Sequence, residues 1–253
     1  YDINYYIAQP EQLYGSTNYV AFTDSTTLEF SSTIPVKMVY TTDGSEPTAS
    51  SQEYCEPLTF NHTTDLKIRS VLPSGKMSPT RNISIVKQEL REAVQVANLE
   101  NGLRVESTAG THLNMEEFNA AEGPTSERIA KTLEDVVLRK GFHFRLPLED
   151  QESNVAQGYI NIPKDGVYHF WTDNNELWIA GQKVVDNDNE VKRHSRGGRS
   201  IALAKGLHPL KTVWLGHVIG GWPTNWCNGS ITMRHEDDTE YRNVKPADIF
   251  YEL

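Results

Sequence analysis

Along most of this chain apolar and polar residues alternate in short runs, the period of a half-buried strand. Val36-Lys37-Met38-Val39-Tyr40 is a β-favouring run that leads into Thr41-Thr42-Asp43-Gly44-Ser45-Glu46-Pro47, a dense cluster of turn formers. Leu66-Lys67-Ile68-Arg69-Ser70-Val71-Leu72 alternates cleanly, and Pro73-Ser74-Gly75 stops it. Ile83-Ser84-Ile85-Val86 reads as the last strand of this stretch. Strands at this spacing, punctuated by Gly and Pro, predict a small antiparallel sandwich. Between Gln88 and Asn98 the pattern stops. Leu90, Val94 and Ala97 recur at i, i+4 and i+7, a weak helical spacing in a polar segment whose composition suits a linker.

After Asn98 the strand pattern resumes and is longer. Leu103-Arg104-Val105 opens it, and Tyr159-Ile160-Asn161-Ile162 is a strand closed by the turn Pro163-Lys164-Asp165-Gly166. Val167 to Thr172 follows, with Tyr168 and Phe170 on one face, then Leu177-Trp178-Ile179, Ser200 to Leu203 and Lys211 to Leu215. Residues 114–135 show no clear period, and Thr125-Ser126-Glu127-Arg128 has the form of a helix start. The pattern therefore predicts an all-β chain with a first sandwich over residues 1–87, a linker at 88–97 and a larger antiparallel sandwich at 98–253.

Composition narrows the partners. The 253 residues carry a net charge of -10, which repels phosphate backbones, so nucleic acid is not an expected partner. The basic loop of Lys192, Arg193, His194, Arg196 and Arg199 runs against this trend and reads as solvated. No run approaches the roughly 18–20 apolar residues that span a bilayer, and no charged-then-apolar leader is visible. The start at Tyr1 suggests a processed product or an excised piece. Cys55 and Cys227 fall in different predicted domains and read as two free thiols. No Gly-x-Ser-x-Gly elbow, phosphate-cradling Gly-Lys-Ser/Thr loop or His-Glu-x-x-His helix occurs.

Two family resemblances follow from these motifs. Val39-Tyr40-Thr41-Thr42-Asp43-Gly44-Ser45-Glu46-Pro47-Thr48, with Tyr54, Leu66 to Arg69 and Gly75-Lys76-Met77-Ser78-Pro79, resembles the C-terminal sandwich of chitobiases and β-hexosaminidases, and this covers residues 9–87. It implies an Ig/fibronectin-III-like sandwich in which the motif serves its own turn. Gly158-Tyr159-Ile160 to Pro163, Asp165 to Phe170, Asp173, Leu177 to Gly181, Val184-Val185-Asp186 and Lys205 to Pro209 resemble, in that order, the protective-antigen-type, lectin-like sandwich over residues 98–235. Together they look like the tail of an exported, bacterial β-N-acetylhexosaminidase. The resemblance implies a periplasmic, cell-surface or secreted glycoside hydrolase accessory region beside a catalytic domain of the same polypeptide. That family cleaves with an adjacent Asp-Glu pair, and no Asp-Glu dipeptide occurs here, so no catalytic residue is assigned.

Some members of the second family bind calcium and sugar through two adjacent aspartates after the strand matching Val167–Thr172. Here the pair reads Asp173-Asn174, which keeps an oxygen ligand but loses one charge. No cofactor is therefore assigned, with calcium left as an open alternative. Trp222 and Trp226 bracket Asn225 in a Gly-rich loop and offer flat faces and an amide for a glycan or glycoconjugate. Trp171, Trp178 and Trp214 fall in strands and read as core or half-core residues, while Asp186-Asn187-Asp188-Asn189 reads as a solvated turn. The acidic run Glu236-Asp237-Asp238 reads as solvated as well. The expected role is a non-catalytic module that contacts carbohydrate or orients its catalytic neighbour. The alternative is a structural spacer or docking module with no ligand.

Overall fold

The structure is a computed structural model that describes residues 7–12, 18–32, 34–110, 112–137, 152–188, 196–215, 218–219, 222–223 and 229–253. Its contacts divide the chain into two compact units, Tyr1–Glu89 and Leu90–Leu253. Both are built from strands, and among the described residues no helix is long and apolar enough to cross a membrane.

The first unit contains β1 (Tyr19–Phe22), β2 (Thr26–Leu28), β3 (Lys37–Thr41), β4 (Gln52–Glu53), β5 (Leu58–Phe60), β6 (Thr64–Val71) and β7 (Arg81–Lys87). Five of them form a sheet of order β1-β7-β6-β3-β4, and β2 pairs with β5. In β6 the alternation is realised: Leu66 and Ile68 are fully buried, while Asp65 is exposed and Lys67 and Arg69 are half-buried. They join Phe22, Leu28, Phe30, Ile83 and Ile85 in one core. The unit is not wholly antiparallel, because β1 runs parallel to β7, with Tyr19 opposite Ser84. A tight turn forces neighbours to be antiparallel, whereas β1 and β7 are joined by everything between them and carry no such constraint. The turn motif is spent on itself. Gly44 takes a positive φ of 83°, Asp43 Oδ1 accepts from the Ser45 amide at 3.0 Å, and Glu46 holds Lys67 at 2.6 Å and the Thr80 hydroxyl at 2.7 Å.

No helix forms in residues 88–98. The Gln88 amide donates to Phe22 of the first unit. From Arg91 onward the segment is tied to the second unit. The Arg91 amide donates to Ala202, the Ala204 amide donates to Arg91, and the Val94 amide donates to Leu207. The Arg91 guanidinium reaches the Ala180 carbonyl at 3.1 Å and Gln182 Oε1 at 3.2 Å.

The second unit is a two-sheet sandwich. Its elements are β8 (Leu99–Asn101), β9 (Leu103–Ala109), α1 (Met115–Asn119), β10 (Ser126–Ala130), α2 (Glu134–Val137), β11 (Glu152–Ile162), β12 (Gly166–Thr172), β13 (Glu176–Ile179), β14 (Gln182–Asp186), β15 (Ile201–Leu203), β16 (Gly206–Trp214), β17 (Ile231–His235), β18 (Arg242–Asn243) and β19 (Ile249–Glu252). One sheet has the order β8-β19-β11-β16-β13-β14, with β9 also on β11 and β10 outside β9. The other joins Arg196–Gly197, β12, β17 and β18, with β15 also on β12. Their inner faces meet in one core that includes Val105, Ile160, Leu177 and Leu210 from the first sheet and Tyr168, Phe170, Ile201 and Met233 from the second.

One expectation needs correction here. Residues 126–130 are a strand registered on β9, Ser107 opposite Ser126 and Leu103 opposite Ala130, and not the start of a helix. The edge of β9 supplies backbone partners that outweigh local helix propensity. The helix of this stretch is instead α1, where Asn114 caps the Glu117 amide at 2.9 Å. Met115 and Phe118 of α1 pack on Val155, Val213 and Leu215, covering part of the outer face of the larger sheet.

Candidate functional site

Strand β12 ends at Thr172 in one sheet and β13 begins at Glu176 in the other, so Asp173-Asn174-Asn175 carries the chain around the end of the sandwich. A second polar segment, Asn187-Asp188, leaves β14 beside it. Asn174, Asn175, Asn187, Thr172 and Thr212 are buried to 1% exposure or less. Buried amides and hydroxyls at this depth require partners. Asn174 Nδ2 donates to the Thr212 hydroxyl at 2.8 Å, and that hydroxyl donates to the Glu176 carbonyl at 3.0 Å. Asn187 Nδ2 donates to the carbonyls of Thr172 at 3.1 Å and Asn174 at 2.8 Å, and its own amide donates to Asn175 at 2.7 Å. Asn175 Oδ1 accepts from the Leu215 amide at 3.0 Å. The result is a rigid corner in which side-chain amides replace the backbone pairing that strands would supply.

Among the sequence-assigned residues, Asn174 thus faces the interior as a framework group. Asp173 is half-buried, and its Oδ1 is buried without a hydrogen-bond partner. Trp222 lies in a short pairing of Trp222–Pro223 with Val218–Ile219, where it stands opposite Ile219. Asn225 and Trp226 lie outside the described residues, as do Asn189 and the basic residues Lys192, Arg193 and His194. Cys55 is an exposed free thiol, and Cys227 lies outside the described residues. Trp171, Trp178 and Trp214 are all half-buried.

The turn after β14 is not simply solvated. Asn187 is 1% exposed, because its amide closes the corner. Glu236 is exposed yet tied down, its Oε1 accepting from the Val167 amide at 2.9 Å, so the acidic run is anchored where it leaves β17. The pairing of Asn187 with Thr172 and Asn174, and of Asn174 with Thr212, was not legible in the sequence. Asn187 lies 13 residues from Asn174, and Asn174 lies 38 from Thr212, and no spacing rule relates them.

Calcium requires 6–8 oxygen ligands, several of them carboxylate. The carboxylates near this corner are mostly committed. Asp186 accepts from the Asp188 amide and pairs with Lys183 at 3.1 Å, while Asp188 Oδ1 accepts from the Met115 amide at 2.9 Å. Among the described residues of this corner only Asp173 offers an unpaired anionic oxygen, and no three described His, Cys, Asp or Glu side chains converge to hold a metal. The described donor set does not fit calcium.

Comparison with known proteins places this geometry. Residues 17–82 match the chitobiase/beta-hexosaminidase C-terminal domain. Residues 114–248 match the PA14 domain. A beta-hexosaminidase of Porphyromonas gingivalis is 38% identical over 248 residues, 98% of this chain but 32% of that protein. The chain thus spans about a third of that relative's length. Among solved structures, the PA14 domain of an antifreeze protein, MpAFP, superposes with a TM-score of 0.46 at 16% identity, over 64% of this chain and 96% of that one. The epithelial adhesin 9 A domain of Candida glabrata, solved with Galb1-3GlcNAc, gives 0.40 at 8% identity, over 65% of this chain and 97% of that one. Because the PA14 match covers more than half of its residues and falls on the sandwich of the second unit, this chain belongs to the PA14 family, carrying a chitobiase/beta-hexosaminidase C-terminal-type unit ahead of that sandwich.

Proposed function

We propose that this chain is the non-catalytic accessory region of an exported β-N-acetylhexosaminidase, in which the PA14 unit contacts glycan beside a catalytic domain of the same polypeptide. The observation that carries this reading is the pairing of the two units along nearly the whole chain with one beta-hexosaminidase at 38% identity. The absence of an Asp-Glu dipeptide agrees with a chain that lacks the chemistry itself.

The loop end of the PA14 sandwich is the proposed contact. The amide-locked corner holds Asp173 in a fixed place, and the composition of the segment with Trp222, Asn225 and Trp226 suits flat apolar faces and an amide for sugar hydroxyls. Such contacts need no metal. A chromogenic N-acetyl-β-glucosaminide should not be hydrolysed by the chain alone, while a glycan array should retain it and Trp226→Ala should weaken that retention. Turnover that survives repurification and disappears on replacing one carboxylate overturns the non-catalytic reading. An empty array favours the spacer. Export is part of the reading, and recovery of the full polypeptide in the cytoplasmic fraction of its host would contradict it.

A further inference from the structure

Among the described residues, α1 covers the outer face of the larger PA14 sheet over Val155 and Val213. Beyond that cover the register sets a lateral row: Arg104 opposite Gln157, Gln157 opposite Lys211, and Lys211 opposite Trp178. Two residues further along β11, Tyr159 stands opposite Pro209. These side chains line an open groove of about 670 Å³ that Glu106 and Glu252 also border. That volume lies within the range of small-ligand clefts, about 300–1,000 Å³. Neighbouring strands are about 4.8 Å apart, so the row from Gln157 to Trp178 crosses about 10 Å, more than one sugar ring.

Three properties of the groove select a ligand class. Its charged side chains balance, Arg104 and Lys211 against Glu106 and Glu252, which favours a neutral ligand over an anionic one. The side chains of Glu106, Gln157 and Lys211 make no hydrogen bond or ion pair with the described residues, so an acceptor, an amide and an ammonium stand uncommitted along one face. The aromatic surface is oriented in advance. The Trp178 indole donates to Glu176 Oε2 at 2.8 Å, and Lys183 Nζ sits 5.3 Å from the ring centroid while bridging Glu176 and Asp186. A ring pinned in this way loses little entropy on stacking.

We propose that this groove is a second carbohydrate site of the PA14 unit, lined by residues other than those of the loop-end contact, that takes a neutral N-acetylhexosamine oligosaccharide laid across the strands. The sugar class rests on the hexosaminidase reading above, whereas the site rests on the groove. Titration of the ¹⁵N-labelled chain with N-acetylated chitotetraose, and in parallel with maltotetraose, tests it. The expected result is chitotetraose-dependent shifts at the amides of 157–159, 178 and 210–211, with Kd raised about tenfold by Tyr159→Ala and by Lys211→Ala. Lys211→Ala should leave the melting temperature unchanged, which separates lost contact from lost fold. Equal shifts with maltotetraose overturn the sugar class. Shifts confined to 173–175 and 218–230 that vanish in Trp226→Ala overturn the groove and leave the loop-end reading standing. No shift with either sugar overturns both.

Discussion

Asn187 shows how much one amide can hold. Its Nδ2 satisfies two buried carbonyls, those of Thr172 and Asn174, at the point where the chain passes between sheets. Asn187→Ala takes this donor from both and should cost about 2–4 kcal/mol in urea unfolding of the PA14 unit. Asn187→Asp should cost more, because it turns an acceptor toward two acceptors. Equal stability of the two variants would show that the corner does not depend on this donor. His169 makes the complementary case for charge. Burial, reinforced by Arg234 on the opposing strand, pushes its imidazole from 6.5 down to about 4. The unfolded chain binds its proton near pH 6.5, so between about 6.5 and 4 the unfolded state holds more protons and stability falls as pH falls. The ceiling is roughly 3 kcal/mol. His169→Gln should flatten this part of the stability profile between pH 7 and 4.5, and an unchanged slope would assign the acid sensitivity elsewhere. Neither residue announced itself in sequence. An Asn in an Asp/Asn-rich loop has the composition of a solvated turn, and burial of a strand histidine depends on what lies over it.

At the scale of elements, the segment between the units carries the clearest consequence. Gln88 is bonded to the first unit and Arg91 to Val94 to the second, which leaves Glu89-Leu90 as the passage between them. A protease specific for glutamate should therefore cut after Glu89 before Glu92, since Glu92 sits inside the hydrogen-bonded strap. Mass spectrometry of the first fragments checks this, and early cleavage after Glu92 would mean that the strap opens readily. The weak helical period of Leu90, Val94 and Ala97 had suggested another outcome. A short polar segment cannot sustain an isolated helix, and the backbone carbonyls of Ala202 and Leu207 offered it partners. The same logic turned residues 126–130 into a strand on β9. Clean alternations such as Leu66 to Val71 survived intact, because their buried face is already written into the period.

For the whole molecule, we propose that the two units unfold as separate cooperative bodies. Calorimetry should resolve two transitions, and a single one would join them. Chelator should shift neither by more than about 2 °C, because Asp186 and Asp188 spend their carboxylates on protein donors and, among the described residues of the corner, only Asp173 Oδ1 is left unpaired. A drop of many degrees would show that a metal completes the corner after all. The sequence by itself determined the all-β class, the order of the two family motifs and the turn at Asp43-Gly44, where Gly44 takes a left-handed backbone and Asp43 bonds within two residues. All of these rest on local periodicity or on contacts between near neighbours. Only the tertiary structure decided that β1 runs parallel to β7, that Asn174 turns inward to Thr212, and that Gln157, Lys211 and Trp178 form one row. Each of those depends on which strands become neighbours across the fold, and no local pattern encodes that choice.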